Sequence, residues 1–258
     1  MRVFDFDHAI VRQPGRSVVQ GLRKNLETEP SFEKVFKEHG AYVVALRAAA
    51  LAVDILPPRE AFPDSVFVED PAFVLPQGAI LLRPGAPSRL GEREEMRGVL
   101  KRHFDRVLEL QDGEYVDGGD VLVTPATIFI GLSKRTNRAG AEALRLKLRE
   151  LGRDARIVKT PPAILHFKTA SSLLSEDTVL VTKAMAGSGI FAGLKTLLTP
   201  DGEEGAANAL RVNDVVFAGD CYPRTLELIR REGLNVVALS VSEIAKLDAG
   251  LSCMSLRW

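Results

Sequence analysis

Two side chains suited to nucleophilic catalysis lie far apart in the sequence. Cys253 stands near the C-terminus in AGLSCMSLRW, flanked by two serines, and His166 stands in AILHFKTASS. A cysteine thiolate is a strong nucleophile when the fold brings a histidine and an orienting acid to it. Taken singly, Cys253 also fits a small buried side chain, and His166 fits a hydrogen-bonded core histidine. The two residues are therefore candidates for a nucleophile and its base.

Three carboxylates surround a short apolar run in PDSVFVEDP. Asp64 precedes Val-Phe-Val, and Glu69 and Asp70 follow it, so we expect a buried strand over 66–68 that ends at the two acids. Adjacent buried carboxylates repel each other unless a cation lies between them. A guanidinium or an ammonium group would be such a cation. A turn with solvated acids before Pro71 is the simpler interpretation, and it stays open at this point.

A second acidic motif and two basic loops supply further candidates. VDGGDVL places Asp117 and Asp120 around two glycines, which permit a tight turn and a close approach of the backbone. The loops RPGAPSR and GLSKRTNR contain Arg83, Arg89 and Arg135, and a planar guanidinium can hold a carboxylate through two hydrogen bonds. Each motif also occurs in ordinary hairpins and on ordinary surfaces, so only a common location in the fold would give them a function.

The composition is that of an ordinary globular protein. The 258 residues are 46% hydrophobic, 34 Lys and Arg balance 34 Asp and Glu, and the pI is about 6.9. This charge balance gives no attraction to nucleic acid or to an anionic membrane. No run approaches the roughly 18 apolar residues that span a bilayer, and the N-terminal segment mixes Asp and Arg with apolar residues. We therefore expect a cytoplasmic protein.

The spacing of cysteines and histidines favours neither a metal site nor a disulfide. Cys221 and Cys253 are far apart in sequence, and two reduced thiols are expected where no secretory signal is found. No Cys-x-x-Cys or His-x-x-x-His spacing occurs, and the histidines are scattered at positions 8, 39, 103 and 166. We therefore expect no bound metal.

A weak repeat runs along the chain. The segments that begin at VFVEDPAFVL and at YVDGGDVLVT share an order of strand, turn, strand, basic loop and helix. In the second copy we expect strands at 121–124 and 127–130 and a helix that ends at Gly152. Two further copies begin at HFKTASS and NALRVND. The N-terminal HAIVRQPGRSVVQ looks like half a unit, which the C-terminal LSCMSLRW would complete.

Hairpins that are each followed by a helix do not build a sheet of single parallel strands alternating with helices. They fit modules arranged side by side or around an axis. If the chain ends close a ring, the strand-to-helix loops point to the middle, and chemically useful residues converge there. The segment TPDGEEGAAN is expected to be an exposed loop.

Together these segments resemble the dimethylarginine dimethylaminohydrolase family, within the superfamily of enzymes that modify guanidino groups. FPDSVFVEDP, RPGAPSR, DGGDVL, GLSKRTN, LHFKT and GLSCMSLR stand in the expected order, and the match covers essentially the whole chain. The resemblance implies an α/β fold, a five-bladed α/β propeller of ββαβ repeats around a central substrate channel, as one catalytic domain over residues 1–258. It also implies hydrolysis of dimethylarginine and monomethylarginine to citrulline without a metal or an organic cofactor.

The resemblance also implies roles for individual residues. Cys253 would be the nucleophile, His166 the general acid and base, and Asp117 the acid that orients the histidine, either through a slightly moved backbone or through water. The implied substrate-binding residues are Glu69 and Asp70 for the guanidinium, Asp64 and the carbonyl of Leu22 for the α-amino group, and Arg89 and Arg135 for the α-carboxylate. Leu22 would belong to a lid over 13–24 with hinges at Gly15 and Gly21.

Three alternatives remain at this stage. An arginine deiminase, or another hydrolase of guanidino or ureido amino acids, has similar catalytic residues, but arginine deiminases are considerably longer. A non-catalytic propeller could bind arginine derivatives. Cys253 could instead be a redox-sensing or zinc-binding thiol, with Cys221 as a partner only within about 7 Å between Cα atoms. The expected partner is a small-molecule substrate; no motif encodes the oligomeric state, and a homodimer is allowed.

Overall fold

The computed structural model describes residues 2–258 and has a mixed α/β architecture of five small sheets, each with three strands. In every sheet two strands pair antiparallel, and a third strand lies parallel to the middle one. The strands are β1 (His8–Arg12), β2 (Ala52–Leu56), β3 (Ala72–Leu75), β4 (Gly78–Leu81), β5 (Val107–Glu109), β6 (Val121–Val123), β7 (Ile128–Leu132), β8 (Ala155–Lys159), β9 (Ser171–Leu173), β10 (Thr178–Val181), β11 (Lys195–Leu198), β12 (Leu210–Val212), β13 (Val215–Gly219), β14 (Asn235–Leu239) and β15 (Ser255–Arg257).

The helices are α1 (Phe32–Ala48), α2 (Glu92–His103), α3 (Arg138–Glu150), α4 (Lys183–Ala186), α5 (Pro223–Arg231) and α6 (Ser242–Ala245). The first five lie in the crossovers that the parallel strand pairs require, and α6 lies between β14 and β15. The predicted stop of α3 is confirmed, because Gly152 follows its last turn with a φ of +76°. Within residues 2–258, no helix combines the length and the apolar character needed to cross a membrane.

The two ends of the chain share one sheet, whose order is β15-β1-β2. β1 pairs antiparallel with β15, with Ile10 opposite Leu256, and parallel with β2. The prediction that the C-terminal segment completes an N-terminal half unit is therefore confirmed. The other four sheets follow in sequence as β3-β4-β5, β6-β7-β8, β9-β10-β11 and β12-β13-β14.

One strand of each sheet faces a common axis. These inner strands are β15, β3, β6, β9 and β12, and contacts join β15 to β3, β6 to β9 and β9 to β12. The strands at the opposite edges, β2, β5, β8, β11 and β14, are largely exposed or half-buried. This is the five-bladed propeller arrangement, and the turns that precede the inner strands meet at one end of the axis.

Two local predictions were wrong. Residues 66–68 form turns and not a strand, because the chain must bend between Pro63 and Pro71 to bring acids from both sides of the apolar run inward. TPDGEEGAAN is not simply an exposed loop, since its last turn, Glu204–Ala207, buries Ala206 and Ala207. Cys253 lies in a 3-10 turn just before β15.

Candidate active site

Six of the candidate residues lie in turns that precede inner strands, whereas Leu22, Arg89 and Arg135 follow the middle strands β1, β4 and β7. Residues 64–70 precede β3, 117–120 precede β6, 166–169 precede β9, Asn208 precedes β12 and Cys253 precedes β15. Because the inner strands surround one axis, their preceding turns are neighbours although up to 189 positions separate them in sequence. The fold thus brings the predicted acids and histidine and the predicted thiol to the same end of the molecule.

His166 and Asp117 form a direct, buried pair. The Nε2 atom of His166 lies 2.9 Å from Oδ2 of Asp117, so neither bridging water nor a longer side chain is needed. The other oxygen of Asp117 accepts a hydrogen bond of 2.7 Å from the backbone N–H of Gly85. Although burial disfavours the protonated imidazole, the charge of Asp70 and the hydrogen bond to Asp117 raise the pKa of His166 to about 9. At neutral pH the imidazole of His166 is therefore protonated.

The two glycines of DGGD are required because other groups pass close to them. A Cβ atom on Gly118 would lie 2.0 Å from the carbonyl oxygen of Glu69, and one on Gly119 would lie 2.9 Å from Cγ of His166. The N–H of Gly119 donates a hydrogen bond of 3.0 Å to Oδ1 of Asp70. The close backbone approach predicted from this motif is therefore confirmed, and it sets the spacing between the acids and the imidazole.

Asp120 holds the turn that carries the histidine. Its carboxylate accepts hydrogen bonds from Ser133 and Thr136, at 2.6 and 2.7 Å, and from the backbone N–H of Phe167 at 2.8 Å. Burial raises the pKa of Asp120 to about 6, against the opposing effect of these donors and of His166. Asp120 therefore fixes the backbone next to His166.

Cys253 is half-buried and surrounded by negative charge. Burial, followed by the charges of Glu69 and Asp70, raises the pKa of its thiol to about 12. Without a ligand the thiol is therefore protonated at neutral pH. A cation bound between the sulfur and the two acids would reverse the electrostatic part of this effect and favour the thiolate.

Asn208 is a site residue that the sequence analysis missed. Its Oδ1 accepts a hydrogen bond of 3.1 Å from the N–H of Ser252, which turns its Nδ2 toward Sγ of Cys253 at 3.8 Å. Gly250 leaves room for this amide, because a Cβ there would lie 2.4 Å from Cγ of Asn208. The only available signal was position, since Asn208 precedes its inner strand as the other site residues precede theirs.

Glu69 and Asp70 are adjacent in sequence but have different partners. Glu69 accepts from Nζ of Lys168 at 2.6 Å and from Oγ of Ser252 at 3.1 Å. Asp70 is paired with the buried Arg89, and although burial opposes it, the charges of Arg89 and His166 keep the pKa of Asp70 below its usual value. The mutual repulsion expected from the sequence is thus relieved by the protein's own cations.

The basic candidates occupy different environments. Arg89 is buried, and besides Asp70 it binds Glu92 through Nε and Nη2, at 2.9 and 2.7 Å, and the carbonyl of Phe67. Of its five N–H groups, the second hydrogen on Nη1 is left without an acceptor among the described residues. Arg135 is more open, with Nη1 3.9 Å from Asp117. Arg83 pairs with the exposed Asp112 and lies against Tyr115, so it is not part of this cluster.

The segment expected to form a lid contacts the candidate site at Leu22. The N–H of Leu22 donates a hydrogen bond of 2.9 Å to Oδ1 of Asp64, which brings together the two residues expected at the α-amino group. The segment is fastened at its start, where Glu60 accepts from the N–H groups of Arg16 and Ser17, each at 2.8 Å. Gly15 and Gly21 both have negative φ, so the backbone does not require glycine at either position, and their role as hinges stays a prediction.

Asp70, Asp117 and His166 are also close enough to be considered as metal ligands, with one ligand atom from each lying within 4.8 Å of the others. Their hydrogen bonds favour a different use. Asp70 is paired with Arg89, and Asp117 binds both Gly85 and His166. A carboxylate neutralised by a buried arginine and an imidazole with a pKa of about 9 suit proton transfer better than coordination of a metal.

Comparisons with known proteins agree with this arrangement. The family model of N,N dimethylarginine dimethylhydrolase, eukaryotic, matches residues 17–182. An N(G),N(G)-dimethylarginine dimethylaminohydrolase from Pseudomonas aeruginosa is 37% identical and covers 98% of this chain and 100% of its own. A relative with the same name from Streptomyces coelicolor is 32% identical, with 96% of each chain covered. The structure of a mutant of the Pseudomonas aeruginosa protein complexed with citrulline has a TM-score of 0.96 and 36% identity, over 99% of this chain and 100% of that one.

Proposed function

This chain belongs to the dimethylarginine dimethylaminohydrolase family and is an amidine hydrolase of that class, and from that premise we propose that it converts Nω,Nω-dimethyl-L-arginine to L-citrulline and dimethylamine. The monomethyl analogue would give citrulline and methylamine. We also propose that both reactions pass through a covalent intermediate on Cys253. The observation that carries the proposal is the meeting of Cys253, the His166–Asp117 pair and two carboxylates at one end of the propeller axis.

Substrate binding is assigned to groups of opposite charge. Glu69 and Asp70 hold the guanidinium edge-on, Asp64 and the carbonyl of Leu22 receive the α-amino group, and Arg135 binds the α-carboxylate with help from the remaining N–H of Arg89. The hydrogen bond between Leu22 and Asp64 supports this pairing of lid and acid. Since all these contacts precede the chemistry, they act mainly on orientation and capture.

The substrate's positive charge would then prepare the nucleophile. In the free site the thiol has a pKa of about 12 and His166 one of about 9, so the resting pair is a neutral thiol and an imidazolium. A guanidinium placed beside the sulfur favours loss of the thiol proton to solvent. The amide of Asn208, 3.8 Å from Sγ, donates toward the resulting thiolate.

The thiolate attacks the central guanidinium carbon and forms a tetrahedral adduct. His166 gives its proton to the dimethylamine nitrogen, whose bond to carbon breaks, and an S-alkylthiouronium remains on Cys253. The neutral imidazole then takes a proton from water as the water oxygen bonds to the same carbon. Collapse of this second adduct breaks the carbon–sulfur bond, loses the hydroxyl proton to solvent, and releases citrulline and the thiolate. Asp117 holds the imidazole in place through both proton transfers.

A colorimetric assay of ureido groups, which detects citrulline and also the carbamoylated amine that agmatine would give, tests the proposal. Dimethylarginine, monomethylarginine, arginine and agmatine are offered in parallel to the wild type, to Cys253→Ser, and to Cys221→Ser as the control for the exposed thiol. We expect citrulline from the two methylated substrates with the wild type and the control, and none with Cys253→Ser. Acid quenching during turnover, followed by mass spectrometry of the peptide 247–257, should find the adduct on Cys253. Faster consumption of arginine would identify a deiminase, and reaction of none of the four would identify a binding protein.

Three further expectations remain proposals. We propose that residues 1–258 act as one catalytic domain, that the enzyme works in the cytoplasm, and that it forms a homodimer. Limited proteolysis, cell fractionation and sedimentation of the purified chain test them in turn. Recovery of a purely monomeric, fully active enzyme would refute the last.

A further inference from the structure

A cavity between the inner strands has neither Cys253 nor His166 in its wall. It has a volume of about 250 Å³ and is lined by residues of all five inner strands, β3, β6, β9, β12 and β15. It therefore lies on the propeller axis. Glu69, Lys168 and Ser252 belong to its wall, so the cavity borders the catalytic end at these residues. Residues 2–6 line the cavity as well.

The walls of the cavity carry an excess of positive charge. Five basic side chains line it, against two carboxylates, Asp5 and Glu69. Both carboxylates are already paired, Asp5 with Arg2 at 2.7 Å and Glu69 with Lys168 at 2.6 Å. Arg257 is also near Glu69, with 3.5 Å between Nη2 and Oε1.

The remaining basic groups have weaker partners. Arg153 donates to the carbonyl of Thr124 at 3.2 Å. Arg211 donates to the carbonyl of Asn213 at 2.7 Å and lies 4.0 Å from the exposed Asp214. A carbonyl oxygen satisfies a hydrogen bond but does not neutralise a charge. The cavity therefore suits an anion better than a cation or a neutral polar molecule.

Two buried polar atoms of the lining lack a hydrogen-bond partner among the described residues. They are Nε of Arg257 and Oγ of Ser172, and Ser172 is only 6% exposed. Buried donors are seldom left without an acceptor, because losing their water is costly. Both residues line the cavity, so an acceptor bound there can satisfy them. Around them the walls are apolar, with Phe4, Leu122 and Leu173 all buried.

We propose that this axial cavity is a second binding site, separate from the catalytic end, for a small amphipathic carboxylate. The carboxylate group accepts hydrogen bonds from Arg257 and Ser172, and the apolar part of the ligand lies among the side chains of the inner strands. The Glu69–Lys168 pair closes the site toward Cys253, so a ligand here and a substrate at the catalytic end can be bound together.

Calorimetric titration of the full-length chain tests the proposal, with benzoate as the probe and benzamide as its neutral counterpart. Saturating citrulline is present throughout, so that the carboxylate-binding arginines of the catalytic end are occupied. We expect one benzoate per chain, and benzamide bound at least about tenfold more weakly, because hydrogen bonds to charged groups are stronger than neutral ones. Arg257→Gln should weaken benzoate binding about tenfold or more, and Ser172→Ala by a smaller factor. Arg230→Gln, an exposed arginine of α5, is the matched control and should bind benzoate as the wild type does.

Each contrary result overturns the proposal in a distinct way. Competition between benzoate and citrulline would place the anion at the catalytic end. Equal binding of benzoate and benzamide would mean that the cavity does not select for charge. Absence of benzoate binding at millimolar concentration, or an unchanged affinity in both the Arg257 and the Ser172 variants, would remove the site. Citrulline formation is measured separately, so failure here leaves the proposed reaction untouched.

Discussion

Replacement of Asn208 by Asp tests how the nucleophile is stabilised. Asp has nearly the same shape as Asn, and its Oδ1 can still accept the hydrogen bond from Ser252. At the position of Nδ2, however, a negatively charged oxygen would replace a donor 3.8 Å from the sulfur of Cys253. The substitution therefore keeps the turn and reverses the electrostatic effect on the thiolate.

The expected size of the effect follows from this distance. Two unit charges about 4 Å apart repel each other by about 1 kcal/mol in water and by about 4 kcal/mol at an effective dielectric constant of 20. The fraction of thiolate at a fixed pH should therefore fall by a factor between about 5 and about 800. A more basic thiolate is also a better nucleophile, which cancels about half of the effect on a logarithmic scale. Alkylation of Cys253 should thus slow about 2- to 30-fold.

The assay is the rate of alkylation by iodoacetamide at pH 8.5, followed by mass spectrometry in a Cys221→Ser background. Asn235→Asp is the matched control, because it adds the same charge at an exposed position of β14, and it should react as the background does. The value of kcat/KM for dimethylarginine should fall together with alkylation. If Asn208→Asp reacts as fast as the control, the amide does not stabilise the thiolate, and its assigned role is refuted.

Three further tests, with five substitutions, separate chemistry, packing and capture. Asp117→Asn should lower the pKa of His166 from about 9 toward its usual 6.5, so the alkaline fall of kcat/KM should move to lower pH. A raised pKa in the folded state stabilises the fold below the unfolded pKa, and this effect is lost as the pH rises through about 9, so the variant's deficit in unfolding free energy should shrink by pH 10. An unchanged pH profile would contradict the pairing of His166 with Asp117. Gly118→Ala should destabilise the fold by about 3 kcal/mol or more, because its Cβ would meet the carbonyl of Glu69. Gly98→Ala, on an open helix face, should stabilise the fold by about 0.5–1 kcal/mol. Urea unfolding compares the two variants, and equal effects would mean that the backbone near Glu69 moves to accept the added Cβ. Arg135→Ala should raise KM with little change in the free energy of unfolding. Arg89→Ala should raise KM and also lower the free energy of unfolding by about 3–5 kcal/mol, because it leaves buried acids unpaired. An unchanged free energy of unfolding in Arg89→Ala would show that the burial of Asp70 and Glu92 does not depend on Arg89.

Much of the architecture could be predicted from the sequence because each repeat carries local signals. The hairpins and the glycine after α3 depend on neighbours in sequence, whereas the pairing of the chain ends follows from the half unit at each end of the repeat; the structure confirms all three. The wrong strand at 66–68 has the opposite origin. Its Val-Phe-Val run favours a strand locally, but the position of the acids at the propeller axis imposes turns on it.

Pairings between blades could not be predicted in the same way. Lys168 follows His166 by two positions in a motif that was recognised, yet its bond to Glu69 depends on how two blades meet. Asn208 lies in a run of small residues without any chemical signature, and only its position before an inner strand distinguishes it. Arg89 was expected to bind substrate, but the buried acids around it account for most of its N–H groups.

The charges of the site explain why the thiol of Cys253 stays protonated when no cation is bound. Every acid that could bind the guanidinium also suppresses ionisation of Cys253 when that place is empty, as the raised pKa of the thiol indicates. In the proposed reaction, the substrate cation would remove this suppression at the moment when its carbon is positioned for attack. The citrulline formed would be neutral, so the acids would again oppose the thiolate, and the sulfur would regain a proton as the product leaves. Selectivity for a cationic substrate and protection of the resting thiol would then have the same electrostatic cause.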